Sequence, residues 1–284
     1  MSSLAEGRSP LTFSLMTYNV WKTNGIPTFW STRRNVLRRQ LEKLDPDVLM
    51  VQELCPKIQE CILEALPGHK FIGSEKAVGL KGFTHEGNIF YRGSLFQEVD
   101  SGCDDIEQEE EYRRLFWIRL RPLVGNGRNI LFSTAHFTWQ GCKKEIETNL
   151  NVRKIQAKNT VKVLNKLQQE SEYCFFGGDL NESFWPKRIL EGASFSDCFS
   201  QLGLPCRPTH PNRPTLSHED QNADSVLDWL FARPAAGASV RPLAATVVRD
   251  CVGLSSDDPL ERKVLSVAAS DHCPVLAVYK VKDL

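Results

Sequence analysis

Six short apolar runs between Leu11 and Tyr279 each deliver an acid, an amide or an imidazole at a strand-like position. Leu11 to Met16 leads into Thr17-Tyr18-Asn19-Val20-Trp21, and Asp47 to Gln52 leads into Glu53 after a helix-like segment from Ser31 to Leu44. Ile130 to Ala135 ends on His136, Tyr173 to Phe176 runs on to Asp179, Val226 to Phe231 contains Asp228, and Ser270-Asp271-His272 precedes the run from Pro274 to Tyr279. Apolar runs this short, bounded by turn-forming residues, read as buried strands, since a helix needs about ten residues or more. Buried strands must stack into sheets, and a polar group carried to the end of each predicts one common rim.

The sharpest of these positions is Phe175-Phe176-Gly177-Gly178-Asp179-Leu180-Asn181-Glu182. Residues two apart on a strand share a face, so Asp179 and Asn181 point the same way where the chain leaves the core. The carboxylate can orient a water or a metal-bound hydroxide, and the amide can donate to a phosphoryl oxygen. Asp and Asn after a strand are also ordinary turn residues. What sets this pair apart is the matching set of polar groups at the other runs.

The chain has 284 residues, 41% of them hydrophobic, enough to bury a large core. Residues 1–10 lack apolar periodicity and read as a flexible tail, and no repeat or linker divides residues 11–284, which read as one domain. The first apolar stretch contains Thr12, Ser14 and Thr17, which suits a strand and not the core of a signal peptide. No run approaches the ~20 apolar residues that cross a bilayer. Nine cysteines without Cys-x-x-Cys or Cys/His clusters argue against a disulfide framework and against structural zinc. A reducing compartment, cytoplasmic or nuclear, is the expectation. Cys55 follows Glu53 closely, but no adjacent base would activate it as a nucleophile.

Lys plus Arg and Asp plus Glu number 35 each, so the formal net charge is zero. A protein that grips long duplexes non-specifically carries a basic excess. Charge does gather locally. Arg33, Arg34, Arg38 and Arg39 crowd one helix, and Lys154, Lys158, Lys162 and Lys166 recur every fourth residue along a helical stretch from Glu145 to Gln169. These rows read as solvated outer faces, with Ile155, Val163 and Leu167 turned toward a sheet. Asp104 to Glu111 reads as an acidic surface loop that a nucleic-acid backbone would avoid.

In order, Asn19, Gln52-Glu53, His136, Gly178-Asp179-Leu180-Asn181, Asp228 and Ser270-Asp271-His272 resemble the endonuclease/exonuclease/phosphatase superfamily of metal-dependent phosphoester hydrolases, from residue 12 to residue 280. The resemblance implies an α/β four-layered sandwich: two mixed β-sheets packed face to face, helices on the outside, and the active site at one end. It implies Glu53 as the main metal ligand, supported by Asn19 and Asp271, for Mg²⁺ or Mn²⁺, ions that take oxygen ligands. It implies His272 beside the scissile phosphorus as base or charged stabiliser, oriented by Asp228, with Asp179 and Asn181 in the same catalytic set. Thr134-Ala135-His136-Phe137 is similar to the Thr-His-Leu of the deoxyribonuclease, deadenylase, tyrosyl-DNA phosphodiesterase and sphingomyelinase branches, where the imidazole can protonate the leaving oxygen or bind the phosphate. A non-catalytic scaffold is the alternative class, yet no member of the set is missing.

Substrate is less constrained. Arg153 and Gln156 are similar to an Arg-x-x-Gln step in several branches and read as supports on the substrate-binding side. Tyr18 to Trp21 resembles neutral sphingomyelinases, although no amphipathic membrane helix accompanies it. Phe195 to Gly203 and Thr209 resemble tyrosyl-DNA phosphodiesterases, with Thr209-His210 where those have Thr-Trp. Phe29-Trp30, Trp139, Phe184-Trp185 and Trp229 can stack bases, with Trp139 and Trp185 placed in the substrate site; core packing is the other reading of each. The expectation is a Mg²⁺-dependent phosphodiesterase whose substrate is nucleic acid, with single strands or ends favoured and no stable membrane insertion. Sphingomyelinase-like and tyrosyl-DNA phosphodiesterase-like enzymes are the alternatives.

Overall fold

The apolar runs are strands covered on both faces: every residue of β2 (Val48–Gln52), β7 (Ile130–His136) and β8 (Tyr173–Asp179) is buried. The computed structural model describes residues 9–23, 30–73, 86–110, 112–125, 127–210, 225–249 and 268–284. Residues 1–8 of the expected tail, Phe29 and Glu111 lie outside them.

Two six-stranded sheets form. One orders β11 (Ala238–Val247), β12 (Val275–Asp283), β1 (Leu11–Asn19), β2, β4 (Gly87–Arg92) and β3 (His69–Phe71). The other orders β5 (Phe96–Asp104), β6 (Leu115–Pro122), β7, β8, β10 (Asp228–Arg233) and β9 (Ser196–Asp197). Each is mixed, with one central parallel pair, β1–β2 or β7–β8, among antiparallel neighbours. A parallel pair requires a crossover. α1 (Trp30–Leu44) supplies the first, and α3 (Lys143–Thr148) with α4 (Val152–Leu167) the second.

Between the sheets Phe175 packs edge-on against Phe13 at 5.4 Å and Tyr279 at 4.9 Å, and stacks on Phe132 at 5.4 Å. On the outside, α1 and α2 (Pro56–Ala65) set Leu37, Leu41, Ile58 and Ile62 against Leu49, Val51 and Phe90 of the first sheet. α4 and α5 (Trp185–Gly192) set Ala157, Leu164 and Leu190 against Leu131, Cys174 and Phe176 of the second. This is the expected four-layered sandwich. All eight cysteines among the described residues are free, and no helix among those residues is long and apolar enough to cross a membrane.

Two glycines let the layers close just before the rim. A Cβ on Gly177 would lie 2.7 Å from Leu230 Cδ2 and 2.8 Å from Met50 Sδ of the opposite sheet. On Gly178 it would lie 2.1 Å from the carbonyl oxygen of Ala135 on the adjacent strand.

Three helical expectations change. The stretch from Glu145 to Gln169 is two helices, because Asn149 closes α3 at φ 55° and Asn151 caps α4 by accepting from Lys154 N at 3.0 Å. The buried face of α4 is Val152, Arg153, Gln156, Ala157, Thr160 and Leu164, with Val163 and Leu167 half-buried against the same core as expected and Ile155 at its margin; Lys158, Lys162 and Lys166 are exposed as expected. Arg33 is fully buried, not solvated. Its guanidinium donates to the carbonyls of Val20 and Ala269 at 2.7 Å each and to that of Trp21, with the Trp30 ring 5.1 Å away. A buried guanidinium is tolerated where its protons all meet acceptors.

Candidate active site

Strand register decides which polar ends meet. In the second sheet Asp179 pairs with His136 on one side and with Asp228 on the other, so an imidazole and two carboxylates stand abreast. In the first sheet Asn19 pairs with Gln52, one residue before Glu53. Asn19 joins the two sheets: its Nδ2 donates to Asp179 Oδ2 at 3.0 Å and lies 3.4 Å from Glu53 Oε1 and 3.5 Å from His272 Nε2. Ser270 Oγ donates to the Asn19 carbonyl at 2.6 Å and accepts from His272 N at 3.2 Å, which folds the 270–272 corner onto β1.

His272 Nδ1 lies 2.8 Å from Asp228 Oδ2, and its Nε2 lies 3.6 Å from Asp179 Oδ2. Thr209 Oγ1 accepts from the backbone N–H of both Leu227 and Asp228, at 2.9 and 3.0 Å, and so fixes the start of β10. Burial by itself would lower the His272 pKa, but the carboxylates of Asp228 and Asp179 outweigh it and hold the ring charged well above the usual range. His136 is the opposite case. Burial, then the positive charges of Arg113 and His272, push its pKa well down, so it is neutral although its Nε2 is 3.5 Å from Asp179 Oδ2. Burial raises the Asp179 pKa against the pull of His272, and the Asp228 charge adds to the rise. One acid therefore sits between a charged and a neutral imidazole.

Glu53 accepts from the backbone N–H of Lys22 at 3.0 Å. Burial raises its pKa, and the carboxylates of Asp271 and Glu86 raise it further. Crowded carboxylates of this kind are relieved by a cation, and an all-oxygen pair such as Glu53 and Asp271 fits Mg²⁺ or Mn²⁺. Asn19 Oδ1 accepts from Trp21 N at 3.0 Å, which turns the Nδ2 side toward the acids, so toward them Asn19 is a donor. Trp21, Glu53 and Asn181 have φ of 53°, 57° and 49°. Left-handed backbone in non-glycine residues costs about 1–2 kcal/mol each and collects at functional sites.

Asn181 N donates to Asp179 Oδ1 at 2.9 Å, and Asn181 Nδ2 donates to the carbonyl of Phe137 at 2.8 Å. Arg153 corrects an expectation. It is 2% exposed, pairs with Glu145 at 2.7 Å and Glu182 at 3.0 Å, and donates to the Thr138 carbonyl at 3.2 Å. Buried and bonded to these partners it braces the wall behind the site, which fits the supporting role and not direct contact with substrate. Gln156 does likewise through Thr138 N and Oγ1, at 3.0 and 2.7 Å. Trp139 and Trp185 are 46% and 45% exposed. The Arg113 guanidinium lies 5.8 Å from the Trp139 ring and Lys154 Nζ 3.7 Å from that of Trp185. Trp229 is buried beside Phe231 in the outer core, so for it packing is the reading that holds.

Glu86 and Arg113 went unnamed in the sequence, and His210 was named but given no role. Glu86 is buried and pairs with Lys22 at 3.2 Å and with Arg113, and lies 3.8 Å from His136 Nδ1. It directly precedes β4, which runs antiparallel to β2, so the start of β4 lies where β2 ends. Reading strand starts as well as strand ends would have found it. His210 carries no such signal. Its ring packs on that of His272 with centroids 4.6 Å apart.

The family model for the Endonuclease/Exonuclease/phosphatase family matches residues 16–272. Solved structures of similar fold include D. rerio TDP2 complexed with single strand DNA product, at 18% identity and TM-score 0.69, covering 94% of this chain and 98% of that one. An endonuclease/exonuclease/phosphatase family protein from Bacteroides thetaiotaomicron aligns at 21% identity and TM-score 0.73, covering 97% and 99%. A mannosyl-6-phosphatase from the same organism aligns at 20% and 0.72, covering 93% and 98%. No curated protein sequence matches the chain. At these identities the likeness to solved structures is one of fold.

Proposed function

We propose that this chain, which belongs to the endonuclease/exonuclease/phosphatase family, hydrolyses phosphodiester bonds of nucleic acid with a divalent cation, favouring single strands or ends. One observation carries the reading: Asn19 Nδ2 and the two imidazoles of His136 and His272 surround a single oxygen of Asp179, at 3.0, 3.5 and 3.6 Å, with Glu53 alongside.

Glu53 and Asp271 would hold Mg²⁺ or Mn²⁺, which when bound neutralises phosphate charge and polarises a phosphoryl oxygen. Asp179 orients the attacking water, and its raised pKa makes it a better proton acceptor than an ordinary carboxylate. His272, held charged by Asp228, donates from Nε2 to the phosphoryl oxygen and stabilises the charge that develops there; a protonated ring is no base. Neutral His136 contributes a hydrogen bond to the phosphate and not an acidic proton. Asn19 and Asn181 add amide donors. Zero net charge and two half-exposed tryptophans favour a short single strand over a long duplex track. The similarly folded D. rerio TDP2, bound to a single-strand DNA product, is in keeping with that class.

The test offers the purified chain, with Mg²⁺ or Mn²⁺ and then with EDTA, single strands, duplexes, 5′-tyrosyl ends, sphingomyelin vesicles and a sugar phosphate. EDTA-sensitive cleavage of single strands or ends ahead of duplex supports the proposal. Exclusive turnover of sphingomyelin or of the sugar phosphate replaces nucleic acid as the substrate class, and no turnover of anything leaves a scaffold.

A further inference from the structure

His210 has no part in the roles assigned above, yet it stands against two residues that do. Its Nε2 lies 4.0 Å from Asp271 Oδ2, and its ring lies on that of His272 at an interplanar angle of 56°. His210, Asp271 and His272 each offer one ligand atom, all within 4.8 Å of one another, and all three residues are buried. Two imidazoles and one carboxylate make a donor set for a borderline-soft ion such as Zn²⁺, and a poor one for Mg²⁺.

The geometry needs little adjustment. Tetrahedral zinc with bonds of about 2.0 Å spaces its ligand atoms about 3.3 Å apart, so the cluster, with its ligand atoms within 4.8 Å of one another, must contract by up to about 1.5 Å. His272 already has the arrangement of a metal-bound histidine: Nδ1 is held by the Asp228 carboxylate at 2.8 Å, leaving Nε2 as the ligand atom. The backbone around the trio is tied as well. His210 bridges to Ser225, and the N–H of Cys273 donates to the Thr209 carbonyl at 2.6 Å, which fastens the segment bearing His210 to the one bearing Asp271 and His272.

We propose that His210, Asp271 and His272 form an inhibitory site for Zn²⁺ that borrows Asp271 from the Glu53 site for Mg²⁺ and adds two imidazoles to it. Zinc bound there replaces the Nε2 proton of His272, which is released to solvent, and takes up Asp271; it removes the donor assigned to the phosphoryl oxygen and so stops hydrolysis. The inhibition rests on the hydrolase reading above; the binding does not.

The test titrates Co²⁺, a visible stand-in for Zn²⁺, into the purified chain in excess Mg²⁺, and then displaces it with Zn²⁺. Saturable cobalt uptake with the absorption of a four-coordinate ion is expected. His210→Gln should weaken zinc binding by about tenfold or more, and should leave Mg²⁺-dependent hydrolysis within about twofold while relieving its inhibition by zinc. His210→Cys should restore binding and add a thiolate-to-cobalt charge-transfer band, which separates loss of a ligand from loss of fold. No saturable uptake by the parent chain, or zinc affinity unchanged in His210→Gln, overturns the site. A chain that binds zinc through His210 but hydrolyses nothing keeps the site and removes the hydrolase reading.

Discussion

His272 Nδ1 lies 2.8 Å from Asp228 Oδ2, and this contact decides which imidazole nitrogen faces Asp179. The role proposed for the carboxylate runs through the ring, so the two residues should behave as one unit. Asp228→Ala and His272→Ala should each lower kcat by orders of magnitude, and the double variant should lose little more. Steady-state kinetics on the four proteins of the cycle checks this; losses that multiply would show two independent residues.

The same contact gives stability a pH dependence of definite sign. Burial would lower the His272 pKa, but Asp228 and Asp179 raise it above its unfolded value of about 6.5. Below about pH 6.5 the ring is protonated whether folded or not, and the stabilisation by its partners is complete; it is lost as pH rises through the raised folded value. The stability gap between the parent chain and Asp228→Asn, measured by urea unfolding in EDTA, should therefore narrow as pH is raised. A gap that widens would reverse the assignment of charge.

Glu53 carries the metal prediction. Burial and the Asp271 and Glu86 carboxylates already oppose its ionised form, and a bound cation would reverse that balance. Glu53→Gln should weaken Mg²⁺ binding and cut turnover by orders of magnitude with the circular dichroism spectrum intact. A folded Glu53→Gln protein with ordinary metal dependence would remove Glu53 from the site.

Trp139 and Trp185 are the exposed aromatic faces assigned to substrate. Aromatic stacking is worth ~1 to 3 kcal/mol per base, so Trp139→Ala or Trp185→Ala should raise KM for a single strand by about tenfold with kcat within about twofold. Binding should depend only shallowly on salt. Steep salt dependence together with preference for intact duplex would contradict the stacking model.

Gly178 tests the fold itself. A methyl group there would overlap the Ala135 carbonyl oxygen, 2.1 Å away in the paired strand, and backbone cannot move aside as a side chain can. Gly178→Ala should destabilise the chain by about 2 kcal/mol or more. Thermal unfolding that is unchanged would show that β7 and β8 are not paired in this register.

Much of the site was legible in residue order. Tyr173 to Phe176 and Ile130 to Ala135 are strands because short apolar runs must bury both faces, and Asp179 and His136 sit at their ends, where buried polar groups still meet polar partners, because without such partners they would be costly among the apolar side chains. These are local arguments, and they hold wherever the strand ends up. What stayed hidden depends on which surfaces meet. Arg33 looks like a solvent residue in a helical charge row, yet carbonyls of Val20 and Ala269 meet its protons and draw it inside. Asn19 turns its amide protons toward Asp179 because the turn after β1 presents the Trp21 N–H to its oxygen. Glu86 and His210 join the rim only through the packing of β4 beside β2 and of Thr209 beside β10. By itself the sequence determined the six strands β1, β2, β7, β8, β10 and β12 and the polar residue carried by or beside each, since hydrophobic burial is read from neighbours in the chain. The protonation states of His136 and His272, and the atoms each side chain presents, were decided only by the tertiary structure, because they follow from charges and hydrogen-bond partners that approach across the two sheets.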